Sequence, residues 1–216
     1  MELVVRLIHS ADIPKVKELQ DDSFPIEYSP IFYENIQKSN YLSIIICEKS
    51  QNEENVIAIS TSRQYEKSNF VLSEKTSYLS TFCVREDHRK HGIGGYLLDL
   101  TCLISKCLYG CSGISLHTES RNETAINFYK NHGFNIARYL PQYYSFNGER
   151  HDAVIMYLDL KDVNDGFINN YDIKLDPEIM SMLNSKRIIN VNPKKLLLTI
   201  VLMIAVIITL FLKFMY

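Results

Sequence analysis

The stretch Cys83–Leu100, CVREDHRKHGIGGYLLDL, has the most informative pattern in the sequence. It places three glycines within four residues, Gly92, Gly94 and Gly95, behind a basic run and directly before a helical pattern. Glycine inside a helix costs about 1 kcal/mol relative to alanine, so helix formation alone does not explain them. A strand that ends in a glycine-rich turn and opens into a helix leaves backbone N–H groups free to bind phosphate, and glycine lets the ligand come close. We interpret the stretch as a phosphate cradle, with a tight structural turn as the alternative.

The composition indicates one domain of ordinary size with an appendage. The chain has 216 residues and a formal net charge of −2, so the basic footprint of a nucleic-acid-binding protein is absent. Five cysteines and no visible signal peptide favour reduced thiols facing the cytosol. Cys102, Cys107 and Cys111 lie close together, but without a CxxC pair they predict no metal site.

The order of hydrophobic patterns predicts an α/β domain over residues 1–160. Runs rich in β-branched and aromatic residues predict strands, and apolar residues at helical spacing predict helices. The predicted strands are 2–8, 41–48, 56–64, 77–84, 113–118, 134–140 and 151–160, and the predicted helices are 13–21, 31–39, 94–109 and 123–132. A strand, glycine-rich turn, helix and strand therefore form the centre of the domain.

The C-terminal part of the chain has a different composition. Residues 161–193 are polar and Asn-rich, which predicts a tether with a short helix near 177–183. Residues 196–212, LLLTIVLMIAVIITLFL, carry no charge and are apolar all round. A helix of ~17 residues is ~25 Å long, at the short end of a transmembrane span, whereas a core helix would have a polar face. We predict a membrane anchor over 194–216, with a buried helix as the alternative.

The charges beside the apolar segment predict its orientation. Four basic residues precede it and one follows: Lys186, Arg187, Lys194, Lys195 and Lys213. By the excess of positive charge, the N-terminal side should stay cytosolic. A span so near the C-terminal end is expected to insert after synthesis, and its short length suits the thinner bilayer of the Golgi or ER.

Two motifs in order resemble the GCN5-related N-acetyltransferase (GNAT) family. Residues 89–94, RKHGIG, match the signature R/Q-x-x-G-x-G/A, and residues 122–134, NETAINFYKNHGF, look like the family's N-x-x-A-x-x-F-Y-x-x-x-G-F segment. The resemblance covers residues 3–160 and implies the GNAT fold. Together with the patterns above, we expect a mixed central sheet of about seven strands with about four helices, plus a C-terminal transmembrane helix.

The resemblance implies acetyl-CoA as co-substrate, bound by its pyrophosphate at the glycine-rich turn. It also implies that the Tyr129 hydroxyl donates to the departing thiolate. The cofactor-binding residues it implies are Phe82, Cys83, Val84, Arg89, Lys90, His91, Gly92, Ile93, Gly94, Gly95, Asn122, Ala125 and Tyr129.

Acetyl transfer from a thioester to an amine needs a base, oxyanion donors and a pocket for the amine. By resemblance, Tyr78 and His117 match the pair that holds a water and takes the amine proton. A histidine pKa of about 6.5 suits a base, and a tyrosine pKa of about 10 suits water positioning better. The alternatives are a core histidine and a packing tyrosine, with Glu119 and Asp87 as rival bases near strand or loop ends.

Four further segments narrow the resemblance to the N-terminal protein acetyltransferases of the NatF type, with the NatE catalytic subunit as a relative. They are FPIEY, the strand leading into the glycine-rich turn, LHTESRNETAINFY and YLPQYYSFNG. Such enzymes acetylate the α-amine of proteins that retain the initiator Met. The resemblance implies an acceptor site formed by Phe24, Pro25, Ile26, Tyr28, Tyr78, His117, Tyr143 and Tyr144. A hydrophobic minicore under two loops is the alternative.

The chain departs from the NatF pattern in two places. It has one uninterrupted apolar span where that type attaches to Golgi membranes through peripheral segments, and the segment before Tyr78 is shorter. We expect an enzyme that acts on cytosol-facing N-termini of membrane proteins. A lysine (histone-type) or small-amine acetyltransferase of the same fold is one alternative. A non-catalytic acyl-CoA-binding membrane adaptor is another, although the presence of both Tyr78 and His117 argues against it.

Overall fold

The computed structural model describes residues 2–50, 53–68, 73–163 and 173–185. Within these ranges, the strands form a single mixed sheet, and the helices lie between or after groups of one to three strands along the chain. The strands are β1 (Glu2–Leu7), β2 (Tyr41–Lys49), β3 (Glu54–Ser68), β4 (Ser73–Val84), β5 (Gly113–Glu119), β6 (Asn135–Phe146), β7 (Glu149–Asp159) and β8 (Lys174–Leu175). The helices are α1 (Ile13–Ser23), α2 (Pro30–Asn35), α3 (Ile93–Cys107), α4 (Glu123–Asn131) and α5 (Pro177–Ser185).

The sheet has the strand order β6-β7-β5-β4-β3-β2-β1-β8. Two neighbouring pairs, β4 with β5 and β1 with β8, are parallel, and the others are antiparallel. The predicted α/β architecture with a mixed sheet is confirmed, and each of the seven predicted strands is present. The described residues form eight strands and five helices, not about seven and about four, because the predictions omitted β8 and did not count α5.

Helices cover both faces of the sheet, and β2 shows why. Its run of isoleucines is buried on alternate sides: Ile44 and Ile46 pack in the cluster that contains α3 and α5, whereas Ile45 packs with α1 and α2. A strand covered on both faces needs such a continuous apolar run. Helix α4 packs with β5 and β7 in a third cluster, which also contains Leu98 of α3.

The parallel strands β4 and β5 separate part-way along their length. Their pairing ends at Leu79 opposite Leu116, although β4 continues to Val84. At the same point the register between β3 and β4 shifts, so that Thr81 lies opposite Thr61 and Leu79 lies opposite Ser62, which leaves Ser80 as a bulge. A bulge bends its strand and frees main-chain groups from the ladder. The separation opens a cleft through the middle of the sheet.

Part of the predicted tether lies against the domain. Residue Val5 in β1 pairs with Leu175, and its carbonyl accepts a hydrogen bond from the Asp176 N–H at 2.8 Å. Helix α5 matches the predicted short helix, and its side chains Ile179 and Leu183 are fully buried in the sheet–α3 cluster. The division of the chain at 160 and 193 stays a prediction, but residues 173–185 belong physically to the domain.

The predicted transmembrane segment 196–212 lies outside the described residues. Among the residues that the structure does describe, no helix is long and apolar enough to cross a membrane.

Candidate active site

A cavity of about 800 Å³ lies where β4 and β5 diverge, beside the glycine-rich turn. It is lined by all but two of the predicted cofactor residues: Phe82, Cys83, Val84, Arg89, Lys90, Gly92, Gly94, Gly95, Asn122, Ala125 and Tyr129. The two exceptions are His91, which is exposed on the turn, and Ile93, whose side chain is buried in the core. Ser23, Phe24, Thr124, Phe128 and His132 also line this cavity, and none of them was predicted to bind the cofactor.

The turn before α3 is shaped for an anionic ligand. Gly92 precedes the helix with φ +80°, in the left-handed region that favours glycine. The first-turn N–H groups of α3 have no partner within the helix, and the helix dipole adds positive potential there. Arg89 is held beside this turn because its Nε donates to the Val84 carbonyl at 2.9 Å. These features fit a pyrophosphate.

Helix α4 supplies the opposite wall of this cavity. The Asn122 side chain caps α4 by accepting from the Ala125 N–H at 3.0 Å. Phe128 stacks on Phe82, with ring centroids 5.7 Å apart. Tyr129 lines both this cavity and the next one, and burial raises the pKa of its hydroxyl. A protonated hydroxyl at the junction can donate to a departing thiolate.

A second cavity, of about 380 Å³, adjoins the first. All eight residues predicted for the acceptor site line it, so the structure brings together segments that are far apart in the sequence. One wall is the segment after α1, with Phe24, Pro25 and Ile26. Tyr144 lies on the facing wall, in a part of β6 that was predicted to be a loop. Strand β6 extends to Phe146 because it accommodates an irregularity between Leu140 and Tyr144.

Tyr78 and His117 lie on neighbouring strands inside this second cavity. Their ring centroids are 5.4 Å apart at an interplanar angle of 69°, and His117 stacks on Tyr143 at 4.7 Å. Burial lowers the pKa of His117 and raises that of Tyr78. The Nδ1 atom of His117 is buried and has no hydrogen-bond partner among the described residues. A neutral imidazole with an unused nitrogen can accept a proton directly or through a water.

The two rival bases differ in position. Asp87 lines neither cavity, and its hydrogen bonds to Arg85 and His88 lower its pKa to about 2. An exposed carboxylate that is already paired is a poor base. Glu119 does line the acceptor cavity, where its Oε1 lies 3.0 Å from Nδ1 of His151.

A buried polar link behind the acceptor cavity escaped the sequence analysis. Gln20 of α1 is fully buried and donates from Nε2 to the Thr81 hydroxyl at 3.1 Å. Thr81 and the Tyr28 side chain both line the acceptor cavity. No local pattern marks Gln20 as functional, because its partner is 61 residues away and depends on the bulge at Ser80.

Comparison with known proteins identifies the family. Residues 13–134 match the Acetyltransferase (GNAT) family. The chain belongs to this family. The GNAT fold and the acetyl-CoA-dependent acyltransferase activity predicted from the two motifs are therefore confirmed, with acetyl-CoA as co-substrate.

Named GNAT relatives are similar to this chain over most of their length. N-alpha-acetyltransferase 60 of Danio rerio is 33% identical over 163 residues, which cover 70% of this chain and 67% of that protein. The Xenopus tropicalis protein of the same name is 32% identical over 170 residues, covering 73% and 70%. These relatives confirm the predicted resemblance to the NatF type.

A solved GNAT structure supports the fold. The crystal structure of Arabidopsis thaliana NAA60 in complex with acetyl-CoA superimposes with a TM-score of 0.68 and 23% identity. The match covers 74% of this chain and 99% of that one.

Proposed function

We propose that the protein is an N-terminal acetyltransferase that transfers the acetyl group of acetyl-CoA to the α-amine of proteins retaining the initiator Met. The observation that carries this proposal is the position of Tyr78 and His117. They line a short aromatic slot that adjoins the cofactor cavity, and Tyr129 lines both. The names of the two N-alpha-acetyltransferase 60 relatives support the choice of an α-amine.

In the proposed reaction the neutral amine attacks the thioester carbonyl carbon. His117 takes the amine proton through a water that Tyr78 positions, and Tyr129 protonates the thiolate that leaves. Main-chain groups of β4 beyond Leu79, which do not pair with β5, are available to the cofactor and to the developing oxyanion. Because an α-amine has a pKa of about 7.7–8.0 and lysine one of about 10.4, modest base assistance is enough for an N-terminus.

The shape of the slot favours an N-terminal residue as acceptor. Phe24, Pro25 and Ile26 form an apolar wall that suits the side chain of methionine. Tyr28 and Tyr144 bring hydroxyl groups to the same cavity, where they can bind the peptide backbone. An internal lysine would have to enter this slot while its own backbone continues in both directions. The walls on either side of the slot leave little room for that backbone.

Peptide acetylation tests this function. The full chain is incubated with acetyl-CoA and peptides that begin Met-Leu, Met-Lys or Met-Val, each with an internal lysine. We expect acetylation of the α-amine, measured by mass spectrometry, and no product when the N-terminus is blocked. Equal labelling of internal lysines would favour the lysine acetyltransferase, and cofactor binding without any transfer would favour the adaptor.

We also propose that the enzyme is attached to the Golgi or ER membrane with its catalytic domain in the cytosol. The support is the composition of residues 196–212, which contain no charged residue, and the excess of basic residues before them. This location would give the enzyme access to acetyl-CoA and to cytosol-facing N-termini of membrane proteins.

A further inference from the structure

The acceptor slot contains a single formally charged side chain among the described residues that line it. That residue is Glu119 at the end of β5. The remaining lining is aromatic, aliphatic, hydroxyl or amide in character, apart from His117, which burial favours in its neutral form. The slot therefore presents one negative charge to its ligand, in a lining that is otherwise uncharged.

The carboxylate of Glu119 is fixed in place by His151 of β7. The Nδ1 atom of His151 lies 3.0 Å from Oε1 of Glu119, and the His151 side chain is only 14% exposed. Its ring stacks on Phe146 at 3.8 Å and 10°, and Phe146 itself lines the slot. The other ring nitrogen of His151 is buried without a hydrogen-bond partner in the described part of the chain. The imidazole thus serves to hold Glu119 against the slot.

The position of Glu119 relative to His117 indicates which acceptor residue it faces. The two residues are two apart on β5, so their side chains are on the same face of the strand, separated by about 6.5–7 Å. If the α-amine of the acceptor lies at His117 and the extended peptide runs along β5 toward Glu119, the second residue lies about 3.5 Å further on, roughly halfway to Glu119. A long side chain at that residue can span the remaining distance to the carboxylate. The Glu119 charge also contributes, after burial and two tyrosines, to raising the pKa of Tyr144, which lines the same slot.

We propose that Glu119, positioned by His151, is a subsite for a cationic side chain, Lys or Arg, at the second residue of the acceptor. This inference rests on the proposed N-terminal acetyltransferase function and specifies its substrate class. A carboxylate that is 29% exposed attracts an ammonium or guanidinium group and repels an acidic side chain. His151 is a positioning residue, because it acts through Glu119.

The test compares peptides that differ only at the second residue, which is Lys, Gln, Glu or Leu. For the wild-type full chain we expect kcat/KM to be about five- to tenfold higher for Met-Lys than for Met-Gln, mainly through KM, and lowest for Met-Glu. In Glu119→Gln the Lys-to-Gln ratio should fall to about one. Glu178→Gln, an exposed substitution on α5, is the matched control and should keep the wild-type ratio.

Two variants at His151 separate positioning from folding. Asn at this position retains an amide nitrogen near the place of Nδ1, whereas Leu retains no donor. We expect His151→Asn to keep most of the Lys-to-Gln ratio and His151→Leu to lose it through a higher KM for Met-Lys. If the His151→Leu variant does not fold, the Lys-to-Gln ratios of Glu119→Gln and His151→Asn decide the test.

Several results would overturn the subsite. One is a wild-type enzyme with equal kcat/KM for Met-Lys and Met-Gln. Another is a Glu119→Gln variant that still prefers Met-Lys. A fall in kcat that is equal for all four peptides would make Glu119 part of the proton-transfer machinery instead. Absence of α-amine acetylation on every peptide, Met-Leu included, would overturn the proposed function itself, and the subsite with it.

Discussion

At the scale of single residues, burial moves the pKa values of the central pair in opposite directions. It lowers the pKa of His117 and raises that of Tyr78. The imidazole is therefore free to accept a proton, and the phenol keeps its own. We expect Tyr78→Phe and His117→Ala to lower turnover by about 10²–10⁴-fold, the usual contribution of general-base catalysis. Stopped-flow or steady-state kinetics would measure turnover, and calorimetric titration should give an unchanged acetyl-CoA affinity.

We expect His117 to set the pH dependence of turnover. His117 must be neutral to act as a base. Because burial lowers its pKa, the imidazole stays neutral at pH values below the ordinary histidine pKa. The acid limb of kcat, measured with saturating peptide, should therefore lie below about pH 6.5. His117→Ala should remove this limb. A limb that persists in the variant, or that lies above pH 6.5, would assign the titration to another group.

The sequence motifs predict residues that line the cofactor cavity, but they do not predict contacts between residues that are distant in the sequence. The signature spacing predicted Arg89, Gly94 and Asn122, and the structure places them at one cavity. The Glu119–His151 pair was not predicted, because it depends on the register of β5 against β7. Contacts set by register have no local pattern from which they could be read.

At the scale of elements, the turn into α3 gives a sharp test of the phosphate cradle. A Cβ added at Gly94 would lie 3.6 Å from Phe128 and Val84, which is ordinary van der Waals contact. Gly94→Ala should therefore fold normally, and the larger Gly94→Val should block backbone approach to the pyrophosphate. We expect calorimetry to show a much weaker acetyl-CoA affinity in Gly94→Val. Unchanged affinity, at an unchanged melting temperature, would refute the cradle.

Helices and strands with a clear spacing of apolar residues could be predicted from the sequence, and those without such a spacing could not. The buried runs of β2 and β4 and the apolar spacing of α3 predicted their type correctly. Strand β8 is only two residues long, too short for any alternation to show. A loop was predicted over residues 141–150, where Pro141 and the Asn147-Gly148 pair indicate a turn. The structure instead extends β6 to Phe146 and begins β7 at Glu149, because residues 144–146 pair with β7.

At the scale of the whole molecule, α5 and β8 complete the core of the catalytic domain. Ile179 and Leu183 are fully buried, and burying one such side chain contributes about 1.5–3 kcal/mol to a free energy of unfolding of about 5–15 kcal/mol. A chain ending at residue 160 should therefore melt well below one ending at 193, or aggregate. Leu183→Ala should cost about 2–5 kcal/mol in urea unfolding. Ser181→Ala, at an exposed position of the same helix, is the matched control. Equal stability of the two truncations would mean that α5 adds nothing to the core.

The proposed attachment of the enzyme to a membrane is testable on the full chain. Residues 196–212 carry no charge, and a helix that lies in the interface would need a polar face that this segment lacks. We therefore expect the full chain to resist carbonate extraction and a chain without residues 194–216 to be released in active form. The basic residues before the segment predict a cytosolic domain, so protease added to intact vesicles should digest it. Protection of the domain inside the vesicles would reverse the proposed orientation, and release of the full chain by carbonate would show that the segment does not span the bilayer.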